Sequence, residues 1–177
     1  MDLINPASGG VKLQIPRAKA RGASSPQLLG ANNLEARDVK TRPFELYFLF
    51  LRDQKLAYNL LFAAVHETLQ DLALSKLGAR LGFTAVLHTW TQDLRYHPHV
   101  HCIIPGGGLD PSGQNWISCM HGFFLPVHAL APVFRSKLLQ KLRHAANAKK
   151  LHSDAQTIDD ALHQATQMDW NVYAKPS

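Results

Sequence analysis

Residues 82–109 read GFTAVLHTWTQDLRYHPHVHCIIPGGGL, and this stretch decides the fold. Phe83 to Gln92 is dense in β-branched and aromatic residues and is expected to form a strand. Asp93-Leu94-Arg95-Tyr96-His97-Pro98 reads as a turn, and His99-Val100-His101-Cys102-Ile103-Ile104 as a second strand. Pro105-Gly106-Gly107-Gly108 ends it firmly, since neither residue type continues a regular strand.

Side chains at i and i+2 of a strand face the same way, so His99 and His101 project together while Val100 points to the opposite, core face. Two converging imidazoles are a natural half of a divalent-metal site. With the hairpin centred on Arg95-Tyr96, Gln92 falls opposite His99 and Trp90 opposite His101. His88 then faces Ile103, further along the same side. Gln92 is the expected third ligand, an assignment that hangs on register because a one-residue slip would send it to the other face. An amide oxygen suits an exchangeable cation such as Mg²⁺ or Mn²⁺ better than tightly held zinc. The spacing alone leaves several metal chemistries open, because carbonic-anhydrase-like and amidohydrolase-like zinc sites also carry the pair on a strand. The amidohydrolase barrel needs roughly 250 residues, and the glutamate a cupin would place soon after the pair is missing from 102–106. His121, His128, His144, His152 and His163 are scattered and read as surface residues.

Outward from the hairpin, the apolar positions Leu56, Leu60, Leu61, Ala64, Val65, Leu69, Leu72, Ala73 and Leu77 recur at three- and four-residue spacing, one face of an amphipathic helix. Asp53 is its expected N-cap and Gly78 its stop. His66 and Glu67 fall on its polar side. Asp110-Pro111-Ser112-Gly113 is a tight turn before a short strand at Trp116-Ile117-Ser118, and Phe123-Phe124-Leu125 reads as another. Pro132 suits the first turn of a further helix. Ser153 or Asp154 caps one more, running to about residue 167, and Trp170–Ala174 reads as a final strand. The fold class is α+β, with strands joined by hairpins.

The chain has 177 residues, 46% of them hydrophobic, which is one domain's worth and enough for a core. The longest apolar run, Leu46–Leu51, is far short of the roughly 18–20 residues of a membrane span. No secretory signal is visible, and Cys102 and Cys119 form no CxxC pair, so a cytoplasmic protein with reduced thiols is expected. Lys and Arg number 19 against 13 Asp and Glu, a net +6, of which +4 lies in residues 1–42. Rich in Gly, Ser, Ala, Asn and Pro, residues 1–43 read as a flexible, weakly basic tail, leaving 44–177 as the folded domain. Between His128 and Ser153 there are six basic residues and no acidic one. Arg135, Lys137, Lys141 and Arg143 are therefore candidates for contact with a nucleic-acid backbone, and equally for an ordinary solvated helix face.

Residues 44–175 resemble the two-tyrosine HUH transposases of rolling-circle insertion sequences, the ISCR group and its relatives. The segments that carry the resemblance are LAYNLLFAAVHETL (56–69), the hairpin at 82–109, FFLPVHALAPVFRSKLL (123–139) and DWNVYAKP (169–176). The resemblance implies a partial HUH-endonuclease palm, an antiparallel sheet flanked by helices, with a divalent cation held by His99 and His101. It implies single-stranded DNA at insertion-sequence ends as substrate, and nicking by a tyrosine hydroxyl that leaves a 5′-phosphotyrosine link and a free 3′-OH. This sequence departs from the family in lacking a cysteine-rich module, a first palm strand within residues 1–43, and the helical tyrosine pair. None of Tyr47, Tyr58, Tyr96 and Tyr173 is assigned as nucleophile. The expectation is therefore a piece truncated at both ends and inactive alone, with an intact transposase as a further partner and no membrane. A non-catalytic DNA-binding or interaction fragment, and an unstable remnant, are the rival readings.

Overall fold

The computed structural model describes residues 8–14, 46–90, 94–119, 125, 127–170 and 172–175. In chain order the elements are β1 (Ser8–Gln14), α1 (Tyr47–Arg52), α2 (Gln54–Leu77), β2 (Thr84–Trp90), β3 (Tyr96–Pro105), β4 (Gly107–Leu109), β5 (Trp116–Ser118), α3 (Val127–Asn147), α4 (Ala155–Gln167) and β6 (Val172–Lys175). Four strands form one antiparallel sheet in the order β2-β3-β1-β6, and β4 and β5 form a separate two-stranded ribbon. The class is α+β, as the hairpins and amphipathic helices predict.

The first correction concerns the N-terminal tail. Ser8–Gln14, inside the segment expected to be flexible, is an inner strand of the sheet. Leu13 pairs with Val100 on one side and Val172 on the other, and its side chain is fully buried. Its pairing with β3 and β6 therefore reaches across the boundary expected at 43/44, and it occupies a place in the sheet where the sequence showed no strand. The rest of the expected tail, apart from this strand, lies outside the described residues.

α2 spans the predicted range and buries Ala57, Leu61, Ala64, Val65, Leu69, Leu72 and Ala73. Gly78 ends it in the left-handed conformation, φ 65°, where its N–H reaches the Leu74 carbonyl. Asp53 holds the N-cap position without capping. Its buried carboxylate instead accepts from the His152 backbone N–H at 3.0 Å and pairs with the His152 ring, tying the start of α2 to the loop before α4. Asp154 does cap α4, accepting from the Thr157 N–H at 2.8 Å.

α3 begins five residues before the expected Pro132 start, leaving that proline inside the helix. Leu130, Phe134, Leu138 and Leu142 are all fully buried at four-residue spacing. The stripe thus extends one turn upstream of Pro132, and its burial outweighs the single ladder bond the proline removes. Leu13, Val100, Cys102 and Ile104 of the sheet join these helix residues and Trp170 in one core. The Trp170 ring packs edge-on to Phe134, and its indole N–H donates to the Ala165 carbonyl at 2.9 Å. Both cysteines are free thiols, and burial pushes the Cys102 thiol up to about 12.

Two of the three consecutive glycines after β3 are needed for close approach. A Cβ on Gly107 would lie 2.3 Å from the Ile117 carbonyl oxygen, and one on Gly108 the same distance from that of Arg80. These contacts hold the β4–β5 ribbon and its bridge to Arg80. The strand expected at 123–125 falls mostly outside the described residues, and Leu125 itself is buried but not in a strand.

Candidate metal centre

β2 alternates exposed and half-buried positions along its length, with His88 among the exposed ones. On β3, Val100, Cys102 and Ile104 enter the core, which leaves His99 and His101 on the other face. The observed pairing sets His88 opposite His99 and Val86 opposite His101. His88, His99 and His101 consequently each offer a ring nitrogen within 4.8 Å of the others. Ring centroids are 4.3 Å apart for His88 and His101, 5.3 Å for His88 and His99, and 4.9 Å for His99 and His101. His99 is buried, His101 half-buried and His88 exposed, so the cluster opens toward solvent on its β2 side.

This register differs from the expected one by four residues, an even number, and therefore preserves the face while changing the partner. The cause is local. β3 begins at Tyr96 rather than His99, and the pairing shifts between His88 and Trp90, where two residues of β3, His97 and Pro98, oppose Thr89. A bulge is where a strand accommodates a proline, which has no N–H for the ladder. His88 thereby takes the place expected for Gln92, which lies outside the described residues.

The bulge also orients the site. The Nδ1–H of His99 donates to the His97 carbonyl at 2.7 Å. A carbonyl only accepts, so Nδ1 carries the proton and Nε2 is the lone-pair nitrogen of the neutral ring, the tautomer in which histidine ligates a metal. His97 is buried, its ring bonded to the Tyr47 hydroxyl and set edge-on to the Tyr47 ring at 5.9 Å. Tyr58 and Tyr96 share a hydroxyl–hydroxyl bond of 2.9 Å beside them. Burial first, then the Tyr58 hydroxyl, holds the Tyr96 phenol well above the ordinary range. Three of the four tyrosines thus form a wall behind the histidine strand, whereas Tyr173 on β6 is exposed.

The basic residues of α3 are brought to acidic partners rather than gathered into a bare patch. Lys137 pairs with Asp71 at 2.6 Å and Glu67 at 3.7 Å, Lys141 with Glu67, and Arg143 with Asp159 at 3.2 Å. Arg135 donates to the Thr166 carbonyl at 3.3 Å. The acids come from α2 and α4, which is why a window over 128–153 shows none. Backbone contact by these four side chains would have to compete with the pairs they already make.

The profile of the family described as "Putative transposase" (Y2_Tnp) matches residues 82–177. Among curated proteins, the chain is 42% identical over 148 residues to "Putative transposase y4qJ" of Sinorhizobium fredii, covering 78% of this chain and 37% of that protein. It is 36% identical over 75 residues to "Transposase for insertion sequence element IS801" of Pseudomonas savastanoi pv. phaseolicola, covering 42% of this chain and 18% of that protein. The chain thus spans well under half the length of either relative. No solved structure matches it.

Proposed function

Since the chain belongs to this transposase family, we propose that it forms the metal-holding part of an HUH-type, rolling-circle insertion-sequence transposase, acting on single-stranded DNA. The observation that carries the reading is the triad of His88, His99 and His101, with ring nitrogens within 4.8 Å of one another on the face of the sheet opposite the core. The donor set fits a divalent cation: three imidazoles, one of them oriented by a carbonyl, on two adjacent strands whose backbone ladder fixes their spacing. Nitrogen donors favour Mn²⁺, Co²⁺, Ni²⁺ or Zn²⁺ over Mg²⁺, which prefers oxygen. With His88 in the place expected for Gln92, the preference moves away from Mg²⁺.

Bound there, a divalent cation supplies Lewis-acid polarisation of a phosphodiester oxygen. The chain's own residues do the positioning. Val100, fully buried, anchors the strand between the two histidines, and the His97 carbonyl fixes the His99 ring. Tyr47, Tyr58 and Tyr96 are not assigned as nucleophiles, because their hydroxyls bond to one another or to His97 and burial keeps the Tyr96 proton on. The transfer step is assigned to no tyrosine described in this chain.

If the cation meets a DNA phosphate, metal and DNA must raise each other's affinity by the same factor. An oligodeoxynucleotide should bind more tightly in Mn²⁺ than in chelator, and His99→Ala/His101→Ala should erase the difference. Equal binding in both conditions, with metal shown to be bound, would contradict the reading.

A further inference from the structure

Resting on the reading above, we propose that Trp90 and Tyr173 are base-stacking posts on either side of the histidine cluster, and that a single strand of DNA crosses the sheet between them. Both rings stand in solvent, Trp90 at 64% and Tyr173 at 61% exposure, although large aromatics ordinarily seek burial. Their placement follows from register. Val86, His101, Lys12 and Tyr173 make one continuous cross-strand row over β2, β3, β1 and β6. Trp90 follows His88 by two residues on β2 and shares its exposed alternation.

Three interstrand spacings separate β2 from β6, about 14 Å, and four residues along β2 add about 13 Å. The two rings therefore sit at opposite corners, about 20 Å apart on the same geometry, with the three histidines between them. That diagonal suits a short run of nucleotides whose central phosphate lies over the cluster.

Charge points to the same occupant. No Asp or Glu occurs in the sequence of any of the four strands, whereas Lys12 and Lys175 do. Strands that carry lysines and flat aromatic rings but no carboxylate have the composition that tracks a polyanion and stacks its bases. Stacking on a ring face needs bases that are not paired and stacked within a duplex, so the surface selects single strands.

The test is fluorescence anisotropy of a labelled twelve-nucleotide oligothymidine with the full chain. Trp90→Ala and Tyr173→Ala are each expected to weaken binding about 5- to 150-fold, the cost of losing one stacked base. Trp90→Phe and Tyr173→Phe should restore most of the affinity, because a ring remains. Trp116→Ala, an exposed tryptophan on β5 outside this sheet, should leave it unchanged. Both positions are exposed, so folding is checked simply by matching circular dichroism. Wild-type-like binding by both alanine variants overturns the inference while leaving the metal-site reading standing. Phenylalanine variants as weak as the alanine ones overturn stacking in favour of the indole N–H or the hydroxyl. Equal competition by blunt duplex also overturns it. Failure of the unaltered chain to bind any single strand removes the functional reading itself, and this inference with it.

Discussion

Replacing Leu13 with alanine is expected to lower the free energy of unfolding by about 2–5 kcal/mol, the range for a fully buried leucine. Leu13 lies between Val100 and Val172 in the sheet and within the shared core. A residue on a free tail would change stability by less than about 0.5 kcal/mol. Urea unfolding of the two proteins, followed by far-ultraviolet circular dichroism, distinguishes the outcomes. A midpoint unmoved by Leu13→Ala would mean that β1 does not belong in the sheet. The row that places Tyr173 beside the histidines would then lose its middle strand.

The second large effect is stabilisation by metal. A ligand at a hundredfold excess over its dissociation constant adds about 2.7 kcal/mol to the folded state. For a chain of this length that is an increase of about 5–11 °C in Tm. The rise is expected with Mn²⁺, to be reached at lower concentration with Co²⁺ or Ni²⁺, and to be weakest with Mg²⁺, following the affinity order of nitrogen-rich sites. His99→Ala/His101→Ala should abolish it. A shift with Mg²⁺ as large as that with Ni²⁺ at equal concentration would argue for oxygen ligands and against the triad.

The parts of this fold that could be read in the sequence are those set by short-range periodicity. α2 follows from three- and four-residue spacing, and the inward turn of Val100 between His99 and His101 follows from the two-residue period of a strand. That period also explains why the shared face of His99 and His101 was legible while the place of His88 beside them was not. A four-residue slip keeps every side chain on its face, so Gln92 and His88 are equivalent by alternation and differ only by where the hairpin turns. Pro98 held the missing signal. A proline adjoining a strand demands a bulge or an edge, and a bulge at His97–Pro98 brings Tyr96 opposite Trp90.

β1 was hidden for a different reason. SGGVKLQ contains two glycines and little apolar pattern, so its strand conformation is imposed by pairing with residues 99–105 and 172–175, far away in sequence. The ion pairs of the basic helix were hidden on the same ground. Lys141 and its partner Glu67 are 74 positions apart, and no local window contains both. No helix among the described residues is long and apolar enough to cross a bilayer.

The most direct test is a calorimetric titration of Mn²⁺ into the unaltered chain, His88→Ala and Gln92→Ala. The account predicts one site per chain, its affinity strongly reduced by His88→Ala and kept by Gln92→Ala. Loss of the site in Gln92→Ala with His88→Ala unaffected would contradict the triad and return the third position to the glutamine.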